Sequence, residues 1–205
     1  QKDDTKIHII GFAKVVGDLI EGAQAIALFF AATFILTILV LLFYSRCWRS
    51  TFATIFCCSL AVIWQLGIVS MLGFGLDPYS ILVPFLTFAI GVSHAVQNIS
   101  TMASERVAGK TAIESAISTF RVLFIPGTIA LLCDAVGFST LLVIDIGVIR
   151  ELAIGASVGV AVIIFTKMFL LPILMSYLDV SPAGIRRQQQ RMSGSYGWAK
   201  GISRF

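Results

Sequence analysis

Charge is what this sequence has least of. Asp, Glu, Lys and Arg together make up 13% of its 205 residues, against roughly 25% in a water-soluble domain. So little charge cannot clothe a particle of this size in water, so most of the chain must meet lipid or other membrane helices. Low charge with high apolar content also excludes intrinsic disorder and a nucleic-acid binder with a clustered basic face. Cysteine is sparse as well. Cys47, Cys57, Cys58 and Cys133 form no CxxC pair and have no histidine at ligand spacing. That argues against a zinc site or a disulfide framework, and the adjacent Cys57 and Cys58 read as small hydrophobes in an apolar run. No HExxH cluster is present, and neither a metal nor a dissociable cofactor is expected. The chain opens Gln-Lys-Asp-Asp, without methionine or a signal-peptide pattern, and reads as a piece of a longer protein.

What is abundant is apolar. The AVILMFWYC set reaches 58% and the mean hydropathy is +0.94. Five stretches are long enough to span a bilayer, which takes roughly 20 residues: about Ala23 to Tyr44, Thr51 to Leu72, Tyr79 to Ala103, Val122 to Val143 and Leu152 to Leu178. The fold class is therefore an all-α membrane protein, a bundle of five transmembrane helices with interfacial amphipathic helices. Three segments follow: residues 1–22 as the end of an external domain plus an interfacial helix, 23–178 as the bundle, and 179–205 as a basic cytoplasmic connecting segment.

Basic residues set the orientation. Arg46 and Arg49 follow the first span, Arg106, Lys110 and Arg121 the third, and Arg186, Arg187, Arg191, Lys200 and Arg204 the fifth. The other side holds only Lys2, Lys6, Lys14 and Arg150. Excess Lys and Arg marks the cytoplasmic side, which predicts an external start and a cytoplasmic tail. Ile9, Phe12, Ala13, Val16 and Ile20 recur at helical spacing and predict an amphipathic helix lying in the outer interface. The preceding Lys6-Ile-His-Ile-Ile also fits the last strand of an external domain, with His8 exposed. Thr111 and Glu114 have capping-box spacing, predicting a short helix that enters the fourth span with a bend at Pro126. Gly155 and Gly159, like Ala23, Ala27 and Ala31, offer small faces for close helix approach.

The polar residues inside the spans carry the functional signal. Thr87, His94, Gln97, Asn98 and Thr101 are expected on one face of the third span, with Ser93 beside them. Hydrocarbon offers such groups no partner, so the face should turn to protein or a wet cavity; a helix-gluing polar seam is the structural alternative for Gln97, Asn98 and Thr101. Asp134 falls near the middle of the fourth span, where an aspartate costs about 2.5–3.5 kcal/mol on insertion scales. The face Gly127, Ala130, Asp134 and Gly137 would let a neighbour come close, and His94 should lie at similar depth. A His–Asp pair there is suited to load and release a proton. The stem of Lys167 is long enough to snorkel to the cytoplasmic interface, the preferred reading; the other is a counter-ion to Asp134. Asp77, Asp145, Arg150 and Glu151 are expected as solvated loop charges.

Ile90-Gly-Val-Ser-His-Ala-Val-Gln97, Ser104-Glu-Arg-Val-Ala-Gly109, Asp134-Ala-Val-Gly-Phe138 and Leu171-Pro-Ile-Leu174 occur in an order that resembles the resistance–nodulation–division (RND) permeases, in their hydrophobe- and lipid-exporting, MMPL-like branch. The resemblance covers roughly Ile9 to Tyr177. It implies that the five spans are the second to sixth of a twelve-span protein, its N-terminal transmembrane half, similar to the sterol-sensing domain of eukaryotic relatives. Many members carry an Asp-Tyr or Asp-Asp pair where Ser93 and His94 stand here. Asp134 occupies a position where a small polar residue is more usual. The resemblance thus implies a relocated proton relay of His94 and Asp134 with Ser93, in an exporter of hydrophobic or amphiphilic molecules and not an enzyme, in a bacterial inner membrane. Membrane lipids, the substrate, the other half of the permease and further copies of the chain are the expected partners, and nucleic acid is not. A lipid- or sterol-sensing regulatory module without transport is the alternative.

Overall fold

The computed structural model describes residues 11–74 and 82–202, with residues 195–202 as backbone only. His8, Asp77, the 6–10 segment and Ile9 of the amphipathic pattern lie outside the described residues. Among those described there is no strand. The helices are α1 (Phe12–Ser45), α2 (Trp48–Met71), α3 (Leu82–Val107), α4 (Ala112–Thr140), α5 (Gly147–Ile163), α6 (Leu171–Leu178) and α7 (Pro182–Ile202). A 3-10 turn at Leu141–Val143 extends α4, and a π-helical segment at Ile164–Leu170 joins α5 to α6 into one rod. Five helical stretches are long and apolar enough to cross a membrane: α1, α2, α3, Ala112–Val143 and the rod Gly147–Leu178.

Local chemistry explains the joints. At the end of α3, Gly109 takes φ 89, a left-handed geometry that glycine adopts without strain. There the Gly109 and Lys110 amides donate back to the Arg106 and Glu105 carbonyls, closing α3 with a Schellman-type pattern. Two residues later Thr111 caps α4. Its hydroxyl accepts from the Glu114 amide at 3.3 Å while the Glu114 carboxylate accepts from the Thr111 amide at 2.9 Å. The capping box is present as expected, and α4 continues from it through Pro126 as one helix.

The π segment also has a local cause. Pro172 has no amide proton, and its ring crowds the carbonyl four residues back at Met168. The ladder just ahead of it is π-helical, the local widening by which an α-helix takes in an extra residue per turn.

Two differences from the sequence reading concern the ends. The amphipathic stretch is no separate interfacial helix: it forms the first turns of α1, which runs unbroken for 34 residues. Gly17 and Gly22 weaken a helix but do not stop one, and no proline interrupts the run. The basic tail is helical as α7 and packs on the end of the bundle that holds Ser45 and Ser104. Gln188 donates to Ser104 Oγ at 2.9 Å, and a Cβ on Gly184 would lie 2.9 Å from the Ser45 carbonyl oxygen. The α6–α7 corner is held by Asp179, whose carboxylate pairs with Arg106 at 2.8 Å.

The rod Gly147–Leu178 is the centre of the bundle, touching α2, α3 and α4 along its length. Of its apolar stretch 56% is buried, against 6% for α1, so α1 is peripheral. Phe30 and Phe34 attach α1 through Phe88, with ring centroids 5.7 and 5.1 Å apart.

Candidate functional site: ionisable groups within the bundle

The Gly155/Gly159 face works as a contact seam. A Cβ on Gly159 would come within 2.2 Å of Thr87 Oγ1 and 2.6 Å of Gln65 Nε2, and one on Gly155 within 3.4 Å of Val83. Gln65 is 1% exposed and donates to the Gly155 carbonyl at 2.9 Å. Three helices thus meet at one polar knot. The sequence reading missed Gln65; the signal was a lone amide inside the apolar run of α2.

The polar face of α3 divides. Thr87 and Asn98 are buried, His94 and Thr101 half-buried, and Ser93 and Gln97 exposed. At about 100° per residue Thr87, His94, Asn98 and Thr101 stay close to one line. Gln97 lies about 80° and Ser93 about 120° away from it, by the same geometry. The expected single face is therefore narrower by those two residues. Asn98 turns its amide onto the His94 carbonyl of its own helix at 3.1 Å.

Lys167 does not snorkel. It sits in the π segment with no exposed surface. Its ammonium points inward, donating to the Thr54 carbonyl at 3.3 Å and to Cys58 Sγ at 2.9 Å. Gly91 makes room for the stem: a Cβ there would stand 3.4 Å from Lys167 Cε. The inward slot between α2 and α3, lined by a glycine and a cysteine, outcompetes the run to the interface. Nor is Lys167 in direct contact with a carboxylate: among the described residues no acid lies within ion-pair distance of it.

Successive contacts give the depth of the acid. On α4 against the rod, Ser139 lies beside Ser157, Leu131 shares a cluster with Ile163, and Gly127 meets Met168. On the rod against α3, Gly155 meets Val83 and Gly159 meets Thr87. Interpolation places Asp134 beside Val162, level with Ile90 or Gly91 and one turn from His94. Asp134 and Lys167 both lie within electrostatic reach of His94. The imidazole makes no hydrogen bond to Asp134, and its Nδ1 is buried without a partner among the described residues. Of the small face expected around Asp134, Gly127 is buried against Met168, whereas Ala130 and Gly137 are exposed. Leu123 and Leu131 supply the rest of the α4 contact.

The group therefore comprises an imidazole on α3, a carboxylate on α4 and an ammonium on the central rod, none in direct contact with another. Each proton gained or lost by one changes the field on the imidazole, in a medium that screens poorly. Among the described residues no cluster of His, Cys, Asp and Glu is arranged to hold a metal ion.

A family model described as the MMPL family matches residues 1–204. No curated protein matches the chain. Among solved structures, the crystal structure of SecDF, a translocon-associated membrane protein from Thermus thermophilus, is similar with a TM-score of 0.70 and 20% sequence identity. The similarity covers 78% of this chain and 22% of that one, so this chain spans about a fifth of that protein's length. At this identity the likeness establishes the fold.

Proposed function

The chain belongs to the MMPL family of RND-type permeases, a multi-pass membrane protein, and on that premise we propose that it is the N-terminal transmembrane half of a proton-driven exporter of hydrophobic or amphiphilic molecules. In this reading His94 and Asp134 take and release the proton, and Lys167 supplies a fixed positive charge beside them. The observation that carries it is the His94 imidazole: half-buried within a span, its Nδ1 without a partner among the described residues, and under the charges of Asp134 and Lys167 from two other elements. A group poised between opposite charges changes protonation in response to small movements of either helix, and by linkage its protonation moves the helices. A few kcal/mol of bias suffices to shift a two-state equilibrium from one side to the other. Ser93 and Gln97, polar and exposed on α3 in a membrane-spanning stretch, support a further protein surface covering that side, and the other half of the permease is the partner of this reading. The basic residues of the Arg46 and α7 region then face the cytoplasm of a bacterial inner membrane, with the start of the chain on the periplasmic side.

The test uses the full-length transporter carrying His94→Ala or Asp134→Asn. Loss of export driven by a pH gradient in both variants, with membrane insertion intact, is expected. Unchanged gradient-driven export in both removes the relay.

A further inference from the structure

The inner end of α1 carries a second, unrelated concentration of charge. Arg187 on α7 stands over the Phe43 ring, 4.8 Å from its centroid, and Arg191 over the Tyr44 ring at 4.1 Å. Arg46, at the left-handed cap of α1, and Arg191 both act electrostatically on Arg187. No carboxylate neutralises the three: among the described residues none forms an ion pair with them, and the nearby Asp179 is committed to Arg106. The Arg187 guanidinium is half-buried, and among the described residues its Nη1 makes no hydrogen bond. Partial burial and the charges of Arg191 and Arg46 all press the Arg187 guanidinium below its ordinary value. Three like charges gathered without a carboxylate among the described residues are the arrangement of an anion site.

The surroundings identify the anion's other part. Phe43 is 71% exposed, and below it on α1 Leu36, Leu39 and Val40 are exposed as well. These side chains line the outside of a helix apolar enough to cross a membrane, and Trp48, exposed just past its end, fits the aromatic belt at an interface. Acyl chains lying along Leu36, Leu39 and Phe43 would bring their headgroup to the level of Arg187 and Arg191. We propose that Arg46, Arg187 and Arg191 form a binding site for the phosphate of an anionic phospholipid whose acyl chains run along α1. The site is independent of the proton relay, and either can fail without the other.

The experiment places the full-length protein in nanodiscs of mixed phosphatidylglycerol and phosphatidylcholine and measures retained lipid by native mass spectrometry. Wild type is expected to retain phosphatidylglycerol preferentially. The double variant Arg187→Gln/Arg191→Gln should lose that preference roughly 30-fold, the effect of two basic side chains at a membrane surface, while Arg150→Gln in the first turn of α5 keeps it. Equal retention in wild type and the double variant overturns the proposal. So does displacement of the lipid by millimolar inorganic phosphate, which would mark a free-phosphate site. If the double variant fails to insert, a photoactivatable phosphatidylglycerol on wild-type protein decides: labelling of α1 between Leu36 and Arg46 or of α7 supports the site, and labelling confined to other helices overturns it.

Discussion

Lys167 donates to Cys58 Sγ across 2.9 Å in the middle of the bundle, so a fully buried lysine head group has a thiol and one carbonyl for company. This arrangement predicts an inverted order of stability effects. Cys58→Ala leaves the cation in place with one partner fewer, and a charged group deprived of a hydrogen bond costs about 1–3 kcal/mol. Lys167→Met removes the charge at similar volume, a change that is often neutral or stabilising. Thermal unfolding in detergent should therefore show a lower Tm for Cys58→Ala than for Lys167→Met. If the lysine is the fixed charge of the proposed relay, Lys167→Met nonetheless lowers gradient-driven export by tenfold or more. A stable, fully active Lys167→Met protein would remove it from the mechanism.

The two glycines of the central rod should differ sharply. A methyl at Gly159 meets Thr87 Oγ1 and Gln65 Nε2 inside van der Waals range, and one at Gly155 meets Val83 at 3.4 Å and Val69 at 3.8 Å, both ordinary contacts. Gly159→Ala is expected to destabilise the bundle by about 1–3 kcal/mol through overpacking, and Gly155→Ala by less. Membrane yield and Tm of the two variants check the ranking, and equal behaviour would contradict the three-helix knot.

Thr111→Ala removes the side-chain half of the capping box at the head of α4. Losses of about 1 kcal/mol are typical for such a cap. Hydrogen exchange should quicken at the first-turn amides of α4 and stay unchanged near Asp134. Exchange confined to neither place would show that the helix start is held by its neighbours instead.

Hydropathy alone made the five spans legible, because a bilayer demands long apolar runs and this chain has little else. The capping box was legible because it depends on residues three apart in the chain. The continuity of α1 was not, since an amphipathic pattern describes which face is apolar and says nothing about whether the helix axis bends. Lys167 was misjudged for a related reason. A lysine near a span's inner end has a stem long enough for either direction, and the deciding features, Gly91 and Cys58, lie on other helices. The polar face of α3 was drawn too wide because residues 93 and 97 sit near the line only when neighbouring positions are counted as one face. Asp134 lies within electrostatic reach of His94 without bonding to it, a lateral spacing that residue counts along the spans do not encode.

At 1.5 Å per residue, the 34 residues of α1 make a strut about 51 Å long, well beyond the hydrocarbon thickness of about 30 Å. With no joint along it, a displacement of its Phe12 end is carried by the helix to the Phe30 and Phe34 anchorage on Phe88.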